Sequence, residues 1–261
     1  MRTVRTVVLS GVLGFRALFA WNTPGLFVTS LVLTPALQIV FFVAVGAAFD
    51  YQNPVFFIVG NGVQVAATAG IAGMVSVIAD ERRFGTLSMV LGAPTSRIAV
   101  FVGRMLPGMA CGFAVAALTS SVGLLAVGRA PTLSQVGGYA LAIGVATVSC
   151  SAMGLALSAF GLIYREIFQI ATAAYLLLMV VSGANIDRAA LPGWVRGLGD
   201  VLPTTHSIDG IRDLLSGGAL PALAAPLLME LAVAAAWTAG ALVLMKLLES
   251  LAKRRAALDL Y

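Results

Sequence analysis

The sequence has very little charge. Aspartate, glutamate, lysine and arginine make up 10% of its 261 residues, against 60% hydrophobic ones, where an ordinary soluble domain carries about 25% charged residues. With a mean hydropathy of +0.99, that scarcity excludes a soluble globular chain. Lysine is nearly missing, only Lys246 and Lys253 being present, and no GxxxxGK[ST] run occurs. The chain therefore cannot build a phosphate-cradling loop of its own. There is a single histidine, His206, and there are two cysteines, Cys111 and Cys150, with no CxxC or ligand spacing. We read the cysteines as small buried apolar residues and His206 as a polar loop residue. No HExxH, GxSxG or carboxylate pair suggests an enzyme, and we expect no catalytic residue, metal site or cofactor on this chain. Aromatics are only 8%, too few for a sugar-stacking channel.

What is abundant is uncharged sequence. Val55 to Ala79 and Met105 to Gly128 carry no formal charge, and each exceeds the roughly 20 residues that cross a bilayer. Read along the chain, such runs predict an all-α integral membrane protein in one domain over 1–261. Its expected spans are 24–49, 55–79, 105–128, 133–164, 167–186 and 226–248. Pro24, behind Asn22 and Thr23 as caps, opens the first of these. Gly70 and Gly73 on the second, with Gly108 and Gly112 on the third, permit close helix approach.

Residues 80–97, DERRFGTLSMVLGAPTSR, stand between two long apolar runs as an aqueous loop. Thr86 caps a short helix that Pro94 ends. Leu87, Val90 and Leu91 share one face of it, so the loop presents an apolar patch that needs a docking partner. Ahead of the spans, residues 1–20 repeat Val4, Val7, Val8, Phe15, Leu18 and Phe19 at helical spacing, with Arg2, Arg5 and Arg16 on the other side. That pattern predicts a helix lying in the membrane interface against lipid, the alternative being a disordered basic leader.

Glu230 interrupts the last apolar run, and two readings stand. An ionisable residue inside a span is a candidate polar site, for example for a cationic substrate. Alternatively the helix begins near Pro226, so that Glu230 lies one turn below the outer surface, close to water and favoured by that helix's own N-terminal dipole.

The basic residues set the orientation. With the N-terminus inside, twelve lie on the cytoplasmic side, among them Arg82, Arg83, Arg104, Arg165 and Lys246. Only Arg129, Arg188, Arg196 and Arg212 lie outside. This positive-inside bias places both termini and residues 80–97 in the cytoplasm and 187–218 outside. The net charge of +5 is explained by orientation rather than by nucleic acid, which we do not expect as a partner. The external segment holds two amphipathic stretches, one with Leu191, Trp194, Val195 and Leu198, the other with Ile208, Ile211, Leu214 and Leu215. Pro203 separates them, and they form either re-entrant helices or a surface lid in which Trp194 and Ile211 pack against the spans.

These residues carry a resemblance. The cytoplasmic series Glu81, Gly85, Thr86, Leu87, Leu91, Pro94 and Ser96 lies between the second and third spans. The external series Gly183, Leu191, Pro192, Trp194, Pro203, Thr204, Arg212 and Leu214 lies before the sixth. In this order, after an interfacial helix, they resemble the membrane subunit of type-2 ATP-binding-cassette exporters, in layout the drug and natural-product branch. The resemblance implies a permease of six spans that pairs with a second permease subunit, identical or not, and with a separate nucleotide-binding subunit holding ATP and Mg. It implies coupling to that ATPase through Glu81, Arg82, Arg83, Gly85, Thr86, Leu87, Leu91 and Pro94. An external gate would comprise Pro192, Trp194, Pro203, Ile211 and Arg212. The expected function is export of a hydrophobic or amphiphilic drug, natural product or lipid across the cytoplasmic membrane of a prokaryote. A secondary transporter or channel without an ATPase is the alternative, for which Glu230 is the one intramembrane charge on offer.

Overall fold

The computed structural model describes residues 2–20, 29–49, 53–83, 85, 97–161, 164 and 166–258. Among them the chain is helical throughout, with no strand. In chain order the helices are α1 (Arg2–Ala20), α2 (Thr34–Ala48), α3 (Pro54–Arg83), α4 (Arg97–Ala126), α5 (Leu133–Phe160), α6 (Ile167–Val181), α7 (Gly193–Val201), α8 (Thr205–Leu215) and α9 (Ala224–Leu258). A π-helical turn, Thr29–Leu33, precedes α2, and 3-10 turns lie at Arg188–Ala190 and Leu220–Leu223.

Four segments are long and apolar enough to cross a membrane: Pro54–Val77, Val102–Ala126, Leu133–Phe160 and Leu220–Leu248. α2 and α6 are equally apolar but have 15 residues each, or about 22 Å of rise against a hydrocarbon core of roughly 30 Å. The expected first span, 24–49, is regular only from Thr34. The reason is local: Pro35 sits in the first turn of α2, where its missing N–H is tolerated, and the backbone before it is wound as a π-turn. Residues 21–28, with Pro24, lie outside the described residues. α5 ends at Phe160, four residues before the expected Tyr164.

α3 and α5 form the interior. Their spanning windows are 72% buried, whereas those of α4 and α9 are 33% and 28% buried and leave faces open. Small residues set the spacing. The Cα of Gly108 on α4 lies 3.8 Å from where a Cβ on Gly73 of α3 would stand, and Gly112 packs on Ala69. Gly70 turns the other way, onto Cys150 and Ser151 of α5, because α3 is wedged between both neighbours. α1 lies on the start of α4 through its small side: Gly103 meets Val7 and Ser10, and Gly11 and Gly14 approach Gly103 and Arg104. Val8, Leu9, Val12, Leu13 and Phe15 remain exposed, an apolar face suited to lipid.

Residues 187–218 divide into unlike halves. α8 is part of the core, with Ile208, Ile211 and Leu214 buried in one cluster with Ile58 and Val59 of α3 and Ile143 of α5. α7 is not packed through its apolar stripe. Trp194 is 73% exposed, with Leu198 and Val201 beside it on the same open face, so the expectation that Trp194 packs the segment against the spans is corrected. The nine-residue helix is held instead by polar ties at its C-terminal end. The Nε1 of Trp237 donates to the Val201 carbonyl at 3.0 Å, and His206 meets the Asp200 carbonyl at 3.1 Å.

The orientation is testable on this geometry. Thr204 is fully buried and would be a poor reporter, whereas Gly197 and Ser250 are exposed. In a background lacking Cys111 and Cys150, a cysteine at 197 should react with an impermeant maleimide on intact cells, and one at 250 only after permeabilisation. Reaction of both on intact cells contradicts the positive-inside reading.

Candidate functional site

A groove of about 540 Å³ lies between α2, α3, α4 and α6. Its walls are apolar, and the polar groups reaching it are Thr34, Gln38, Thr68, Ser76, Cys111 and Tyr175. Among the described residues no aspartate, glutamate, lysine, arginine or histidine lines it. The glycines that bring α3 and α4 together, Gly73, Gly108 and Gly112, form part of its floor, so the helix spacing and the groove share one cause.

At one end of the groove a chain of side-chain amides links three elements. Gln38 Nε2 on α2 donates to Tyr175 Oη on α6 and to Asn61 Oδ1 on α3, both at 3.0 Å. Asn61 Nδ2 donates in turn to Asn185 Oδ1 at 2.8 Å. Asn61 is fully buried, as is Gln64 one turn further along, whose Nε2 donates to Ser182 Oγ at 2.8 Å and to the Leu178 carbonyl at 3.2 Å. These bonds spare the amide N–H groups the cost of lying unpaired in an apolar medium, while the Gln64 Oε1 is buried without a partner. Asn185, at the far end, lines a second cavity of about 530 Å³ with Phe42, Phe49, Phe57 and Met179. The amide chain thus stands between two chambers that both run along α2, α3 and the α6 region.

Among the described residues, Arg212, Arg188 and Glu230 fasten the end of the bundle around α8. Arg212 on α8 donates to the carbonyls of Phe56 and Gly183, both at 2.9 Å, and of Ala184 at 3.2 Å, with its guanidinium 3.6 Å from the Phe56 ring centroid. This caps the break after α6, where Gly183 takes a φ of +81° that favours glycine. Arg188 is shared between Asp200 and Asp209, the latter at 2.7 Å. Burial works to lower its pKa, but the hydrogen bonds and charges of Asp209 and Asp200 outweigh it and hold the guanidinium above its ordinary value. Glu230 on α9 is fully buried. Its carboxylate accepts from the backbone N–H of Thr204 at 2.8 Å and of Ser207 at 3.2 Å, and so caps α8 from another helix. The dipole it answers is that of α8 rather than that of its own helix, which begins at Ala224, and the side chain is enclosed within the fold. Glu230 lines neither chamber.

Replacing Arg212 by lysine removes the planar fork that spans three carbonyls. We expect a loss of about 1–3 kcal/mol, read as an earlier heat-induced loss of the monodisperse peak in detergent. An unchanged transition contradicts the capping role.

At the C-terminal end of α3, Glu81 is buried and pairs with Arg104 on α4. Gly85 follows with φ +70°, a backbone conformation that a β-branched residue disfavours, and so turns the chain off α3. Arg82 and Arg83 belong to α3. Thr86, Leu87, Leu91 and Pro94 lie outside the described residues. Residues 9–215 match the ABC-2 type transporter membrane family. The chain belongs to that family. It has no match among curated proteins.

The chain is therefore a transmembrane component of an ABC transporter, and membrane subunits of this family normally pair with an ABC ATPase. Within this ABC-2 subunit the residues singled out in the sequence fall into two separate groups. Glu81 and Gly85 stand at the end of α3. Arg212 meets Phe56 at the helix's start, 25 residues from Glu81 and thus about 38 Å away along the helix. Ile211 is buried beside Arg212, Pro203 is buried just before α8, and Pro192 is the residue preceding α7. Glu230 lies beyond the family match. The sequence reading missed Gln38, Asn61, Gln64, Tyr175 and Asn185. The available signal was a set of amides within charge-free runs, which need partners wherever they are buried.

Proposed function

We propose that this subunit is the permease of an ATP-driven exporter that moves a hydrophobic or amphiphilic substrate outward across a prokaryotic cytoplasmic membrane. It would act as one of two six-span permeases, with α2 and α6 completing the spans. A separate subunit binds ATP and Mg and docks on residues 80–97. The observation that carries this reading is the groove: two of its walls, α3 and α4, are the helices that flank the docking segment. α3 ends at Arg83 and α4 begins at Arg97; they are tied at that end by Glu81 and Arg104 and packed through Gly73, Gly108 and Gly112.

Closure of the ATPase would thus press on two helix ends. Because helices are stiff and small-residue contacts slide, the displacement reaches the groove. Substrate held there would pass the amide chain into the second chamber and leave beneath α8, whose N-terminus and C-terminal turn are fastened by Glu230 and Arg212. The absence of lysine from every part of the chain except Lys246 and Lys253 supports supply of the phosphate site by the partner.

The test is transport into inside-out vesicles carrying the permease and its ATPase. A neutral fluorescent amphiphile should accumulate with ATP and Mg, stop with vanadate, and continue when a protonophore collapses the proton gradient. Accumulation driven by the gradient alone would establish a secondary transporter instead.

A further inference from the structure

The groove discriminates by charge, and the amide chain supplies what it reads. Among the described residues, none of the fifteen that line it is an aspartate, glutamate, lysine, arginine or histidine. A cation or anion entering it would leave water without a counter-charge, the costliest form of burial. Yet the groove is not featureless. Gln38 and Tyr175 line it directly and satisfy one another: Gln38 Nε2 donates to Tyr175 Oη at 3.0 Å, and Tyr175 Oη donates back to Gln38 Oε1 at 3.3 Å. Both are partly exposed, whereas Asn61 behind them is sealed. Their mutual bonds are the one part of the chain that a groove occupant can enter without breaking the chain beyond. Gln38 keeps its bond to Asn61, and Asn61 keeps its bond to Asn185.

We infer that the groove binds uncharged amphiphiles, an apolar body carrying one donor–acceptor head such as a carboxamide, and that the Gln38–Tyr175 pair is the residue set that recognises the head. The inference rests on the export reading above and narrows its substrate class. A carboxamide can accept from Gln38 Nε2 and donate to Tyr175 Oη or Gln38 Oε1, exchanging one set of neutral hydrogen bonds for another at little net cost. A purely apolar molecule would break the pair without replacing it. The groove's volume of about 540 Å³ is within the range of small-molecule sites. Thr34, Thr68 and Ser76 soften its walls without adding charge.

The native Cys111 reports occupancy, because it lines the groove, while Cys150 is fully buried elsewhere. On the complete transporter in nanodiscs, alkylation of both cysteines by N-ethylmaleimide is followed by mass spectrometry. The competitors are decanamide, decylamine and decanoate, which share a ten-carbon chain and differ in head charge, compared at equal membrane concentration. Decanamide should protect Cys111, and the two charged compounds should not. Gln38→Leu and Tyr175→Phe should each raise the decanamide concentration for half protection by about tenfold, the worth of one hydrogen bond, with Cys150 still unreactive. Tyr175→Phe removes only a hydroxyl and carries the test if Gln38→Leu exposes Cys150.

Equal protection by all three compounds, or unchanged protection in both variants, overturns the inference. So does a Cys111 that never reacts, since a second permease or a lipid would then fill the groove. Retention of the ATPase is scored on the same sample. Loss of these protection effects with the ATPase retained refutes this inference alone, whereas a permease that never holds an ATPase refutes the export reading.

Discussion

Glu230→Leu is expected to free the N-terminus of α8 and to disable the transporter. The leucine keeps the bulk of the side chain but offers no acceptor to the backbone N–H groups of Thr204 and Ser207, which the carboxylate holds at 2.8 and 3.2 Å. Each buried donor left unpaired costs roughly 1–3 kcal/mol, and the favourable meeting of a carboxylate with a helix N-terminus is lost as well. Thr204 makes the position more sensitive. It is β-branched and sits at φ +81°, a strained conformation that persists only while its surroundings hold it. Its own side chain does not cap the helix. We therefore expect amide exchange over residues 204–208 to rise by on the order of a hundredfold, equivalent to losing about 2.7 kcal/mol of local stability. Glu230→Gln, which keeps one carbonyl acceptor and the shape, should lie between the two. Exchange in Glu230→Leu matching the wild type would show that α8 is held by its apolar face alone.

Much of this arrangement was legible in the sequence where it depends on local periodicity. Ile208, Ile211 and Leu214 announce a helix with one buried face, and they are buried. Of the four glycines expected to permit close approach of the second and third spans, Gly73, Gly108 and Gly112 lie where those helices meet, whereas Gly70 faces Cys150 and Ser151. The readings that failed depend on partners far along the chain. Glu230 caps a helix that begins 25 residues earlier, and no local pattern records such a pairing. Trp194 has the spacing of an amphipathic face, but its helix is tied down through end carbonyls by Trp237 and His206, which leaves that face open. Gln38, Asn61 and Asn185 come from three elements, and each alone reads as a minor polar interruption. Pro24, expected to open the first span, lies outside the described residues, and the described α2 begins at Thr34 with Pro35 in its first turn.

The largest functional effect is expected at the opposite end. By sequence spacing Leu87, Val90 and Leu91 are expected on one helical face of the segment between α3 and α4. Glu81 paired with Arg104 ties the two helices at the ends that flank this segment. An apolar face so placed, on a subunit whose family normally pairs with an ABC ATPase, is the natural contact for that partner. Changing both leucines to aspartate would carry two carboxylates into a desolvated contact without counter-charges, at several kcal/mol each, enough to lower affinity by at least a thousandfold. Both positions lie between the spanning segments Pro54–Val77 and Val102–Ala126, so we expect insertion and packing of the spans to be unaffected. Ser88→Ala, off that face, should cost little.

Capture of the tagged permease from native membranes, with and without Leu87→Asp and Leu91→Asp, tests the central claim most directly. The wild-type permease should elute with a soluble-type subunit that hydrolyses ATP and is inhibited by vanadate. The double variant should elute as an equally monodisperse permease without it, and export should cease. Equal recovery of the ATPase and equal transport by the double variant would contradict the account, because the segment would then have no part in coupling.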